Sequence, residues 1–262
     1  MTDTPGTPDE PDRGPFVPPN SPDGPTTGAW ASQLERLAAD QISPRRLEVR
    51  RLADAARRVL HGLVVSDADE TALRSAADQL ESVASLFDAS AKRSIYEGFA
   101  EAANSGDPHG FFDHSPMLGR ANPLAPPITL RVVDDRTMEG TATFGAAYEG
   151  PPGCVHGGYV AAAFDEVLGS AQSLSGQPGM TGRLTVNYRS PTPLHEELRI
   201  TGTFERVEGR KIFTTGTLHA GDRLCAEAEG LFVSIDFKRF AELKTAREER
   251  RAERPARRDE SS

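Results

Sequence analysis

The sequence is poor in the residues that staple, anchor or export a chain. It has 2 cysteines, Cys154 and Cys225, far apart and in no metal-ligand spacing. That excludes a disulfide scaffold and points to two ordinary thiols in a reducing compartment. There is 1 tryptophan, and aromatic residues make up 6%. No apolar run approaches the roughly 20 residues that cross a bilayer as a helix. The first residues, MTDTPGTPDEP, carry neither a basic segment nor an apolar one, unlike a signal peptide. A soluble, cytoplasmic protein is expected. Basic residues are outnumbered, 30 against 39 acids, for a net charge of −9. This argues against non-specific binding to nucleic acid, whose phosphates would be repelled. Hydrophobic residues reach only 37%, so part of the chain, at its ends, is expected to stay unpacked.

What is present divides into four parts. Residues 1–28 hold 8 prolines and 5 acids. Such a composition buries too little surface to offset its ordering entropy, which predicts a disordered tail. Residues 29–103 read as a helical extension. A short helix carries Trp30, Leu34 and Leu37. A second begins at Ser43-Pro44, with Leu47, Leu52, Ala55, Ala56, Val59 and Leu63 near helical spacing. A third runs to about Phe87 behind an Asp67/Glu70 capping box, with the stripe Leu73, Ala76, Ala77, Leu80, Ala84 and Phe87. The last two suggest an αα-hairpin, serving as a dimerisation element, as an interaction module, or simply packed on the main domain. Residues 104–236 form the main domain, opened by an irregular Gly/Pro-rich connector. Its His109 and His114 have no visible partner and are not favoured as catalytic. Residues 237–262 are rich in Arg, Glu and Ala and read as a charged helix or tail.

The main domain is dominated by strand signals. Ile128–Val133, Met138–Phe144, Thr181–Arg189, Glu197–Val207, Lys211–His219 and Arg223–Ile235 alternate or carry β-branched residues. Tight turns are expected at Glu208-Gly209 and at Ala220-Gly221-Asp222. The last four strands are expected to form an antiparallel meander.

Between the second and third strands lies GCVHGGYVAAAFDEVLG, residues 153–169. It reads as a helix that is apolar nearly all round from Tyr159 to Phe164, and such a helix is buried. A buried helix inserted into an antiparallel sheet that wraps round it is the hotdog arrangement. Asp165 stands in that helix. A buried carboxylate is costly unless paired or neutralised, so an acid here is either a structural end-group or a functional one. Glu166 is about 100° round the helix and is expected to face elsewhere. Gly157 and Gly158 expose helix-start N–H groups that can polarise a carbonyl. Alternatively, the pair merely permits a tight entry turn. His156 and Asp165 are nine residues apart, half a turn out of phase and separated by about 13 Å of rise. One helix cannot easily offer both ends to one small carbonyl. Two antiparallel helices across a two-fold axis can, which predicts a dimer with shared sites.

The run HGGYVAAAFDE, followed by MTGRLTVNYRSPTP and then VEGRKIF, resembles the hotdog-fold acyl-CoA thioesterases of the phenylacetate-pathway and thioesterase-superfamily type. The similarity covers about residues 115–236. It implies an α+β hotdog fold and hydrolysis of an acyl-CoA to free acid and CoA, by a homodimer or dimer of dimers, with no metal and no redox cofactor. By the same resemblance, Asp165 is the base or nucleophile. His156, Gly157 and Gly158 form the carbonyl-polarising helix start, and Thr181 lies near the acid. Asn187, Arg189, Arg210 and Lys211 contact CoA. The sequence departs from the family in Gly182-Arg183 and in the long N-terminal extension. Two other readings stay open: a non-catalytic acyl-CoA-binding or scaffolding protein, and a hydratase or dehydratase acting on acyl-CoA.

Overall fold

The computed structural model describes residues 44–90, 113–177 and 179–234. The expected disordered tail, the helix around Trp30 and the charged C-terminal segment lie outside these residues. Two helices come first, α1 (Pro44–Val64) and α2 (Glu70–Asp88). Strands β1 (Thr129–Val132) and β2 (Thr137–Thr143) follow, then a single 3-10 turn at Ala146–Tyr148. Helix α3 (Gly157–Ser173) precedes β3 (Gly179–Tyr188), β4 (Glu197–Glu208), β5 (Lys211–Ala220) and β6 (Arg223–Ser234).

The six strands make one antiparallel sheet in the order β1-β2-β4-β5-β6-β3. The four-strand meander expected from the sequence is therefore corrected. Only β4, β5 and β6 follow one another as hairpins. Strand β3 pairs with β6 and forms an outer edge, while β2 takes the place beside β4. Alternation within a strand fixes which side chains face inward, but not which neighbour the strand chooses. The two tight turns stand as expected, with Gly209 at φ 59° and Gly221 at φ 55°.

Helix α3 packs across one face of the sheet. Val160, Phe164, Val167 and Leu168 meet Leu198, Ile200, Ile212, Leu218 and Phe232, all essentially inaccessible to water. Each such side chain contributes about 1.5–3 kcal/mol by leaving water. The helix sits close because glycines floor its seat. Gly202 and Gly216 are direct partners on β4 and β5. A Cβ at Gly216 would come within 2.5 Å of the Thr201 carbonyl oxygen and 2.9 Å of Leu168. A central helix wrapped by an antiparallel sheet is the hotdog fold that the sequence led us to expect.

The N-terminal helices behave differently from one another. Helix α1 docks on the main domain through polar groups. Arg46 and Arg50 both pair with Asp113, at 2.5 and 2.7 Å. Arg57 donates to the carbonyls of Arg120 and Asn122. His61 Nδ1 accepts from the Ala147 N–H, and its ring leans on Tyr148. Helix α2 buries no residue. Its cap is also corrected: Asp69, rather than Asp67, accepts from the Ala72 N–H. Asp69 directly precedes the first helical residue, the position from which a carboxylate reaches the orphan N–H groups.

Candidate active site

The site is built where α3 meets the outer edge of the sheet. Leu184 and Val186 of β3 pack into the core, so even-numbered residues face α3. By strict alternation Thr181 would face away. A bulge between Thr181 and Arg183 inserts Gly182 and reverses the parity. A bulge redirects a side chain in this way by leaving one residue unpaired. As a result the Thr181 hydroxyl donates to Asp165 Oδ1 at 2.7 Å. Gly182, which looked like a departure from the family pattern, is what brings these two residues together.

Asp165 is half-buried rather than enclosed. The expectation of a helix buried all round is corrected in this chain: Gly158 and Tyr159, in its first turn, are exposed. Next to Asp165 on the helix stands a second acid, Glu166. Glu166 is pushed up to about 7, first by burial and then by the Asp165 charge, against the lowering effect of a hydrogen bond from Ser115. Glu166 does face elsewhere, toward the connector that precedes β1.

The helix start is organised by His156. It is the N-cap residue, and its Nδ1 accepts from the Gly158 N–H at 3.0 Å. Of the two amides expected to polarise a carbonyl, Gly158 is thus already engaged. The Gly157 N–H has no hydrogen-bond partner among the described residues. The Tyr188 hydroxyl donates to the Gly157 carbonyl at 2.8 Å, fastening the helix start to the end of β3. Tyr188 was not singled out from the sequence. Its even-numbered place beyond Leu184 and Val186 was the available signal.

The residues expected to contact CoA fall into two groups. Asn187 and Arg189 are odd-numbered and lie on the face opposite α3. There they line a groove of about 300 Å³ with Thr201, Thr203, Thr215 and Glu227. Arg189 pairs with Glu227 at 2.6 Å. Arg210 donates to the Ser234 carbonyl, and Lys211 is exposed beside it. Arg189 sits against Cys225 and Arg210 against Ser234. These are nine residues apart on β6, about 30 Å at the usual strand rise. One chain does not bring the two groups together. Nor does it bring together Gly157, at the Tyr188 end of β3, and Asp165, at the Thr181 end.

An acid on a helix cradled by a sheet, beside an open strand edge, defines a hotdog protein of the thioesterase type. The thioesterase superfamily model matches residues 152–227. A solved crystal structure of a thioesterase superfamily protein is similar at 39% identity and a TM-score of 0.60, covering 71% of this chain and 94% of that one. The chain belongs to the thioesterase superfamily. Among characterised relatives, acyl-coenzyme A thioesterase THEM4 of Xenopus laevis is 38% identical over 93 residues, which is 35% of this chain and 42% of that protein. THEM4 of Bos taurus is 36% identical over 94 residues, 35% of this chain and 38% of that protein. The match thus spans well under half the length of either relative. Among the described residues, no helix is long and apolar enough to cross a membrane.

Proposed function

We propose that the chain hydrolyses acyl-CoA thioesters to a free acid and CoA, and does so as a pair of copies. The observation that carries this reading is the placement of two incomplete half-sites along one free edge. Asp165 with Thr181 stands at the start of β3, and the unengaged Gly157 N–H stands at its end. The strand is 10 residues long, largely exposed and, among the described residues, unpaired on its outer side. Such an edge is a template for pairing with another strand. Antiparallel pairing of two copies about Leu184 and Thr185 sets Thr181 of one opposite Tyr188 of the other. Each Asp165 then approaches the helix start of the second copy, and two equivalent sites form.

In each site the Gly157 N–H and the positive end of α3 polarise the thioester carbonyl. His156 holds the geometry of that turn. Asp165 acts on the carbonyl carbon, as base toward water or as nucleophile, and the Thr181 hydroxyl orients it. The same pairing brings Asn187 and Arg189 of one copy toward the end of the sheet where the other keeps Arg210 and Lys211. These cationic groups suit the phosphates of CoA in a protein that is acidic overall.

A panel of acyl-CoAs with thiol release as readout tests the reading. Asp165→Asn keeps the side-chain volume and is expected to lower kcat by about 10²–10⁴, the usual worth of a positioned acid–base group. Near wild-type turnover in that variant removes Asp165 from the mechanism. If the wild-type chain binds acyl-CoAs but releases no thiol, the non-catalytic binding protein is the right description. A changed acyl chain without thiol release identifies a hydratase.

A further inference from the structure

Behind Asp165, on the side of α3 away from the strand edge, a second line of contacts leads out to the N-terminal extension. Ser115 is buried at 2% exposure. Its hydroxyl accepts the N–H groups of Met117 and Leu118, both at 3.1 Å, and donates to Glu166 Oε1 at 3.3 Å. Two residues earlier Asp113, 4% exposed, is held by Arg46 and Arg50 of α1. Helix α1 therefore clamps a connector, and the connector holds the residue next to Asp165.

We propose that Glu166 is a positioning residue for Asp165, fixed by Ser115 in a connector that α1 clamps. The proposal rests on the thioesterase reading, which gives Asp165 its chemical role. Consecutive helical side chains are about 100° apart, so Ser115 and Thr181 grip this turn of α3 from two sides. With the turn held on both sides, the carboxylate keeps one direction toward the open edge. Preorganisation of this kind matters because small misplacements of a reacting group cost rate steeply.

Charge adds to position. Burial favours the neutral form of Glu166. Among the described residues, the groups that bear on it are Asp165 from its own helix and the Ser115 hydroxyl from the connector. Asp113, two residues before Ser115, is engaged with the arginines of α1. Glu166, pushed up to about 7, gains its negative charge across the neutral range. That charge then adjoins the Asp165 side chain, so the ionisation of Glu166 is felt at Asp165.

The test uses the full chain and acyl-CoA turnover measured across the neutral pH range. Ser115→Ala is expected to lower kcat about tenfold with KM nearly constant, and Ser115→Thr, which keeps the hydroxyl, to restore it. Glu166→Gln keeps a hydrogen-bonding partner for Ser115 and removes the titration. It is expected to lose an inflection near pH 7 that the wild type shows in kcat. Carbon NMR of the Asp165 carboxyl, recorded without substrate, supplies a readout independent of turnover. The wild type is expected to show a second inflection near pH 7, absent from Glu166→Gln. An Asp165 titration identical in the two proteins overturns the proposal, as does an unchanged kcat in Ser115→Ala. If the wild type hydrolyses no acyl-CoA, the thioesterase reading fails, and the carbon titration still decides whether Glu166 acts on Asp165. If Ser115→Ala does not fold, the near-isosteric Glu166→Gln decides by the same measurement.

Discussion

Helices α1 and α3 both dock on other parts of the molecule, yet by opposite means. Helix α3 is held by Val160, Phe164, Val167 and Leu168, pressed into a sheet floored with glycine. Helix α1 turns its leucines outward. Leu47, Leu52 and Leu63 are 51%, 44% and 60% exposed, while Arg46, Arg50, Arg57 and His61 make the contacts around a single buried Ala53. Spacing explains the second arrangement. Positions 46, 50, 53, 57 and 61 recur at intervals of three and four, one face of a helix. An apolar stripe thus names a face that something can bury, not the face by which a helix docks. The binding face of α1 consists of polar side chains, arginines that find carbonyls and a carboxylate on the connector and a histidine that accepts from an amide on the turn before α3.

The comparison predicts graded losses on mutation. The largest belongs to α3. Phe164→Ala removes a fully buried ring and is expected to cost about 3–5 kcal/mol, read as a fall in the denaturant midpoint. A loss below about 1 kcal/mol would mean that α3 is not the centre of the core. Next comes the polar face of α1. Arg50→Met keeps much of the stem and removes the bonds to Asp113. It is expected to cost about 1.5–3 kcal/mol, the worth of a charge-assisted bond that is largely shielded from water. Leu52→Ser, on the outward face of the same helix, is expected to change stability by no more than about 0.5 kcal/mol. If Leu52→Ser proves the costlier of the two, the docking face has been misidentified.

The same contrast explains what could be read beforehand. The strands were legible because each keeps one side chain in two against α3, and alternation marks that directly. The place of β3 at the edge was not, since the partner of a strand depends on contacts far away in sequence. Asp165 stood out as an acid in an apolar helix. Its pairing with Thr181 was legible only through the family resemblance, because alternation alone points Thr181 to the wrong face until the Gly182 bulge is seen. Glu166 was correctly turned away from Asp165, but its environment was not legible. Ser115 lies 51 residues earlier, in a Gly- and Pro-rich stretch whose sequence carries no periodic signal. Asn187 and Arg189 were chosen as CoA contacts by resemblance, and their odd-numbered positions already implied the face away from α3.

The smallest expected effect tests α2, the helix with no buried residue. Leu73, Leu80 and Phe87 fall seven residues apart along it, 43%, 47% and 53% exposed. An isolated helix of this length is marginal in water, so local contacts must carry much of it. These include the Asp69 cap, the Glu70–Arg74 pair, the Gln79–Ser75 bond, and the backbone bonds of Ala89 and Ser90 that close the C-terminus. If they hold α2 while its stripe faces water, Leu80→Ser removes no packing and costs only helix propensity. The expected change in the unfolding midpoint then corresponds to less than about 0.5 kcal/mol, and kcat is unaffected. Asp69→Ala, by contrast, removes the cap and is expected to loosen the helix by about 1 kcal/mol, read as faster amide exchange in its first turn. Should Leu80→Ser cost 2 kcal/mol or more, with a dependence on protein concentration, the stripe is covered by a second copy in solution. Helix α2 would then belong with α3 as a helix held by its apolar face, and α1 alone would be the exception.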